Sequence, residues 1–326
     1  MRPTVERVIP QATTMRSLDW LRPALIVALA ALLALVPQFV PRGDVLNLGF
    51  IILLYISLGQ SWNMLAGFAG QTSLGHAAFF GMGAFTTRTL WTNGGPFPLA
   101  LLLGALTATA FALVIGVPTF RLRGAYFAIG TLGMAEALRI AVSQTSPLVS
   151  TLPLDQIVAY DLATRYYVAL GLALATIGTA ALLLRLRLSL GMLAVREDEE
   201  AAQATGVNPL RHKLIAFTIS SFFAGLAGGV FAFYHVSYYP AAAFSPHWTF
   251  DAVLICFVGG LGTIGGPVIG AVFYILVREQ LAVTLVDIHQ IIFGILFIIV
   301  VLVFPGGLVE AWERLRKARR LPWRRR

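Results

Sequence analysis

Long apolar stretches recur along this 326-residue chain, each near the ~20 residues that a helix needs to cross a hydrocarbon layer roughly 30 Å thick. Backbone in lipid must satisfy its own N–H and C=O groups, so spans of this kind fold as helices. The chain is 58% hydrophobic and 12% charged, where soluble domains carry about 25% charged residues. The expected fold is all-α, a single polytopic transmembrane helical bundle.

Spans are expected at 23–40, 46–66, 99–120, 125–142, 166–184 and 214–236. A shorter stretch reaches Trp91, and its start in the polar, glycine-rich residues 67–76 predicts a short or broken helix. Three more spans fit between 249 and 304, divided at Gly259, Gly260, Gly262, Gly265, Gly266 and Pro267, where helix propensity is poor and proline removes a donor. The total is about ten spans, within a range of eight to ten. The breaks near residues 70 and 262 are candidate corresponding points of an internal repeat with discontinuous helices.

The formal net charge is +9. Much of it lies in 2–22 and 314–326, flanking apolar runs, which is the positive-inside pattern and not a nucleic-acid surface. Residues 143–161 hold two aspartates and neither Lys nor Arg, suiting an external loop, whereas 185–213 carries Arg185, Arg187, Arg196, Arg211 and Lys213. This places 185–213 and both termini in the cytoplasm. The division is a basic N-terminal segment 1–22, a membrane domain 23–305 and a basic tail 306–326. The N-terminal run lacks a convincing small-residue cleavage site and reads as an anchor.

Enzyme chemistry is not visible. Lys213 and Lys317 are the only lysines, and neither ends a glycine-rich phosphate-cradling loop, so no ATPase site is expected in this chain. The single cysteine, Cys256, sits in an apolar run and reads as a small buried hydrophobe. His76 lacks a second ligand at metal spacing and reads as a hydrogen-bonded structural residue; no metal or cofactor is expected.

The longest internal polar stretch contains the run 191–209, GMLAVREDEEAAQATGVNP. Its four acids, Glu197, Asp198, Glu199 and Glu200, suit the opening of an alanine-rich helix, and Gly206 suits its end. On one continuous helix Arg196 and Glu200 pair at i,i+4. Glu200, Ala201 and Ala202 with Gly206 resemble the EAA loop of ABC importer permeases, whose short helix docks on the ATP-binding subunit.

Residues 70–81 (GQTSLGHAAFFG) and 122–128 (LRGAYFA) resemble the branched-chain amino acid permease family in its LivM-like branch. So do 213–217 (KLIAF), 224–228 (AGLAG) and 259–267 (GGLGTIGGP), giving a likeness that runs in order over about 46–305. The resemblance implies an ABC importer permease in a bacterial-type cytoplasmic membrane. Its implied partners are a second homologous permease, two ATP-binding cassette subunits that use the ATP, and an external substrate-binding protein. Arg196, Asp198, Glu199, Glu200, Ala201 and Gly206 then form the coupling surface. The four-acid run and the polar Thr86, Thr87 and Arg88 inside the third span depart from the family pattern.

Gln71, Thr72 and Ser73 are candidates for the translocation path, because unwound backbone and small hydroxyls can replace water around a zwitterion. Glu136 and Arg139, three apart on the fifth span, are candidates for a neutralised pair or a gate. Asp251, beside aromatic residues at the start of the eighth span, reads as a capping charge, with a place at the external mouth as the alternative. The expected substrate is a branched-chain or related amino acid; alternatives are urea, short amides or another small polar solute. A stand-alone secondary transporter is the rival reading and calls for a membrane carboxylate network.

Overall fold

A computed structural model describes residues 21–39, 42–146, 148–284, 294 and 307–310. Six helical segments are long and apolar enough to cross a membrane. Five are the helices α2 (Gly43–Ala69), α4 (Phe97–Thr119), α5 (Ala125–Thr145), α7 (Leu162–Arg185) and α10 (Pro209–Tyr234); the sixth, Pro240–Gly259, comprises α11 (Pro240–Ala243) and α12 (His247–Gly259). The polytopic all-α class holds, with six such segments among the described residues. Helix α1 (Leu21–Phe39) precedes them, α3 (His76–Thr92) is a short helix of 17 residues as expected, the single-turn α6 (Leu154–Val158) lies between α5 and α7, and α13 (Gly265–Thr284) follows the second glycine-rich break. The last expected span falls almost wholly outside the described residues, as do nearly all of both basic terminal segments.

Helix α2 runs through the centre and packs against α7, α10, α12 and α13, while α3 is wedged between α10 and α4. Small residues permit a close crossing: a methyl group built on Gly228 of α10 would lie 1.8 Å from the Phe80 carbonyl oxygen of α3. Gly225, one turn earlier, faces Ala105 and Ala108 of α4. Close backbone approach of this kind replaces the hydrophobic drive that helices lack inside lipid.

Capping side chains set boundaries that hydropathy places a few residues too late. Asp161 accepts from the amides of Ala163 and Thr164 and starts α7 at Leu162. Asn208 accepts from the Arg211 amide at 3.0 Å, and Pro209 fills the first helical position of α10, where its missing N–H costs nothing.

Two connections join at the bundle end opposite residue 70. Strands β1 (Ser150–Thr151) and β2 (Ser237–Tyr238) pair antiparallel, with Ser150 opposite Tyr238. Arg88, 2% exposed, has a structural reason for its place inside the third expected span. Its guanidinium donates to the carbonyls of Ala232, His235, Val236 and Ser150 at 2.6–3.0 Å. One buried cation thereby satisfies the open carbonyls at the C-terminus of α10, where the helix dipole favours positive charge.

Candidate functional site

At the other end, α7 and α10 are joined by α8 (Arg187–Glu197) and the six-residue α9 (Glu199–Ala204). The acidic run is therefore not the opening of one helix. Glu197 closes α8, and Asp198 is extended at φ −156° and caps α9, accepting from the amides of Glu200 at 2.9 Å and Ala201 at 3.0 Å. Glu199 and Glu200 occupy the first turn of α9, near its positive dipole end. Gly206 at φ +89° reverses the chain, and the Val207 amide returns to the Ala202 carbonyl at 3.0 Å, the six-to-one bond of a Schellman ending. Asp198, Glu200, Ala201 and Gly206 are exposed, and Ala202 is the buried residue of α9.

The kink at Asp198 corrects the expected Arg196–Glu200 pair. Glu200 meets Arg123 at 3.3 Å in a solvent-exposed contact. Arg196 turns inward and donates from Nη1 to the Gly67 carbonyl at 2.6 Å, while its Nε lies 3.7 Å from Glu197. Glu199 is held by Lys213, whose side chain is 3% exposed. Met192 and Val195 bury the inner face of α8. The exposed helix α9 is thus attached to α10 through Lys213, and the end of α8 that leads into it is attached to α2 through Arg196.

The same end contains both glycine-rich breaks. Asn63 of α2 donates to the Thr263 carbonyl at 2.9 Å and accepts from the Gly262 amide at 2.8 Å, fastening the second break to α2 one turn before Gly67. Gln71 makes a local bond to the Ala69 carbonyl at 3.3 Å, Thr72 is exposed, and Ser73 is buried with its carbonyl accepting from Trp62 Nε1 at 2.8 Å. Glu136 and Arg139 form their ion pair on α5, with side chains 37% and 39% exposed. They are partnered to each other and are not gathered with residues 71–73; α5 reaches that segment through Thr131, whose hydroxyl accepts from the Leu74 amide at 3.1 Å.

Deeper in the bundle, His76 Nε2 and Ser220 Oγ are 2.6 Å apart, and Ser220 donates to the Ser61 carbonyl at 2.7 Å. This is the hydrogen-bonded structural role expected of His76. Ser61 lies eight residues before the end of α2, so α3 begins roughly 12 Å inside that end. The N-termini of the two short helices meet there, the Ala77 amide donating to Thr249 Oγ1 at 2.7 Å. Cys256 is buried, its thiol 3.1 Å from the Gly59 carbonyl.

Asp251 is the residue sequence reasoning misplaced. It lies inside α12, is 8% exposed, and caps nothing. Tyr55 donates to its Oδ2 at 2.8 Å, Tyr274 donates to its Oδ1, and Arg278 of α13 stands 3.8 Å away. Tyrosines on α2 and α13 facing an acid on α12 are far apart in the chain, so no local spacing announces the cluster.

A family model described as branched-chain amino acid transport system, permease component, matches residues 44–301. The high-affinity branched-chain amino acid transport system permease protein LivM of Escherichia coli is 30% identical over 317 residues, covering 87% of this chain and 74% of that protein; LivM of Salmonella typhimurium gives the same values. The probable branched-chain amino acid transport permease protein LivM of Methanocaldococcus jannaschii is 21% identical over 312 residues, covering 78% of this chain and 90% of its own length. No solved structure gives a significant match.

Proposed function

The chain belongs to the branched-chain amino acid transport system permease family, and from that membership we propose that it is a membrane subunit of an ABC importer moving branched-chain or related amino acids. The observation that carries the proposal is α9, a short exposed helix at the position of the EAA resemblance, fixed to α10 by its own Glu199 and to α2 through Arg196 at the end of the adjoining α8. ATP is hydrolysed by two cassette subunits that grip α9 through Asp198, Glu200, Ala201 and Gly206. Their closure pulls α9, and Arg196 and Glu199 pass that motion to α2 and α10. The reading includes a second homologous permease, an external binding protein, about ten spans and both termini in the cytoplasm, on the side marked by Arg185, Arg187, Arg196, Arg211 and Lys213.

Reconstitution with permease and ATP-binding partners tests this. ATP-dependent leucine uptake should be abolished by Glu200→Arg, with weakened assembly. A second reading, gradient-driven transport by this chain alone, is favoured by one observation, the buried Asp251 cluster. Uptake driven by a proton or sodium gradient without partners would establish that reading and sink the first; uptake of urea or short amides in place of leucine would keep the importer and change its cargo.

A further inference from the structure

A half-open cavity of about 430 Å³ lies between α2, α10, α12 and α13. Phe50, Ile51, Phe231 and Ile275 give it apolar walls, and Arg278 and Glu279 bring adjacent opposite charges from α13. The Asp251 cluster stands beside it. Asp251 already receives two tyrosine hydroxyls, and Arg278 uses one contact on Tyr55 Oη at 3.0 Å. A guanidinium has five N–H donors, and the Arg278 side chain is 49% exposed, so donors remain for a carboxylate in the cavity. Glu279 is exposed and has no ion-pair partner among the described residues. Opposite charges beside an apolar wall match an α-amino acid zwitterion: carboxylate on Arg278, ammonium toward Glu279, apolar side chain on the phenylalanines and isoleucines. Asp251, 8% exposed within the spanning segment Pro240–Gly259, is a charge of the kind that marks a solute pathway inside a membrane bundle.

We propose that this cavity is a transit site for a free amino acid with an apolar side chain. The proposal rests on the importer reading and adds to it the residues that hold the cargo.

The test uses the assembled transporter in vesicles. Cys256 is the chain's single cysteine and is buried, so Ile51→Cys introduces one reactive thiol in the cavity wall. N-ethylmaleimide labelling of this chain is timed with leucine, with isocaproate, which lacks the ammonium, and with isoamylamine, which lacks the carboxylate. Leucine should slow labelling in a dose-dependent way, about tenfold at ten times the concentration that halves the labelling rate, by mass action, and neither analogue should. Glu279→Gln in the same background should remove the leucine protection. Labelling indifferent to leucine in vesicles that import it overturns the site while the importer reading stands. So does a thiol at position 51 that stays unreactive in importing vesicles, the result expected if lipid or a partner subunit fills the cavity. Protection by isocaproate equal to that by leucine also overturns it. Failure of the unsubstituted chain to support ATP-dependent uptake overturns the importer reading itself, and the site with it.

Discussion

Arg196 Nη1 donates to the Gly67 carbonyl at 2.6 Å, tying the end of α8 to the last turn of α2. The Arg196 backbone also lies against Gly70, and its guanidinium against Gly262. One side chain thus touches both glycine-rich breaks as well as the loop that bears α9.

Arg196→Ala should uncouple more than it unfolds. A charge-assisted bond of this kind contributes about 1.5–3 kcal/mol, small against the packing of α2. The expected result in reconstituted vesicles is ATP hydrolysis near the unsubstituted rate with uptake per ATP reduced several-fold. Parallel loss of hydrolysis and uptake would show that Arg196 does not transmit motion.

Asp198→Ala removes the two amide bonds that start α9. N-cap loss costs about 1 kcal/mol, a large share of the stability of a six-residue helix, so hydrogen exchange at residues 199–204 should accelerate several-fold. Asp198→Ser should restore most of the protection. Equal exchange in Asp198→Ala and the unsubstituted chain would mean that packing of Ala202 alone orders the helix.

The Lys213–Glu199 pair is asymmetric, with side chains 3% and 30% exposed. Glu199→Ala strands a buried ammonium, and breaking a buried pair from one side costs about 3–5 kcal/mol. Lys213→Met keeps the packing and leaves a carboxylate that turns to water. Thermal unfolding in detergent should rank Glu199→Ala well below Lys213→Met, and the double substitution should recover most of the loss. The reverse order would place the desolvation on the glutamate.

Much of this was legible from composition and glycine placement, because lipid leaves the backbone few choices. The positions of five of the expected spans, the short α3 and the breaks near 70 and 262 follow from that restriction. What stayed hidden depends on contacts between distant segments. Asp251 read as a cap because its partners Tyr55, Tyr274 and Arg278 lie 23–196 residues away along the chain. Arg88 read as a departure from pattern because the carbonyls it satisfies belong to α10 and β1. Within the loop, the acids were visible but the kink was not: Asp198 serves as cap rather than as helix interior, and this rotates Glu200 away from Arg196 and toward Arg123.

Gly228→Val should prevent normal assembly of the bundle. Even a methyl group at this position would sit 1.8 Å from a backbone oxygen of α3, which cannot move away as a flexible side chain could. Overpacking ordinarily costs about 1–3 kcal/mol, and a clash with backbone falls at or beyond that range. Size-exclusion profiles of the detergent-solubilised protein should show loss of the monodisperse species. Gly229→Ala, which meets only the side chains of Leu101 and Thr87, should be milder.

Asp161 supplies an acid-dependent part of the stability. Its carboxylate accepts from the Thr164 hydroxyl, the Thr164 amide and the Ala163 amide, and these bonds hold its pKa below the ordinary 3.8. A carboxyl group titrating lower in the folded chain than in the unfolded one stabilises the fold fully above the unfolded value and loses that contribution as pH falls through the folded one. The group is largely exposed, so the effect is modest, a melting-temperature difference of roughly 2 °C between the unsubstituted chain and Asp161→Ala at pH 6. That difference should shrink as the pH is lowered through the ordinary 3.8 and below it, because the protonated acid no longer serves as a full acceptor for the first turn of α7. A difference that persists unchanged at pH 2.5 would mean that the substitution acts through packing around Tyr160 and Arg165, whose guanidinium lies 3.6 Å from the Tyr160 ring centre, and not through the carboxylate.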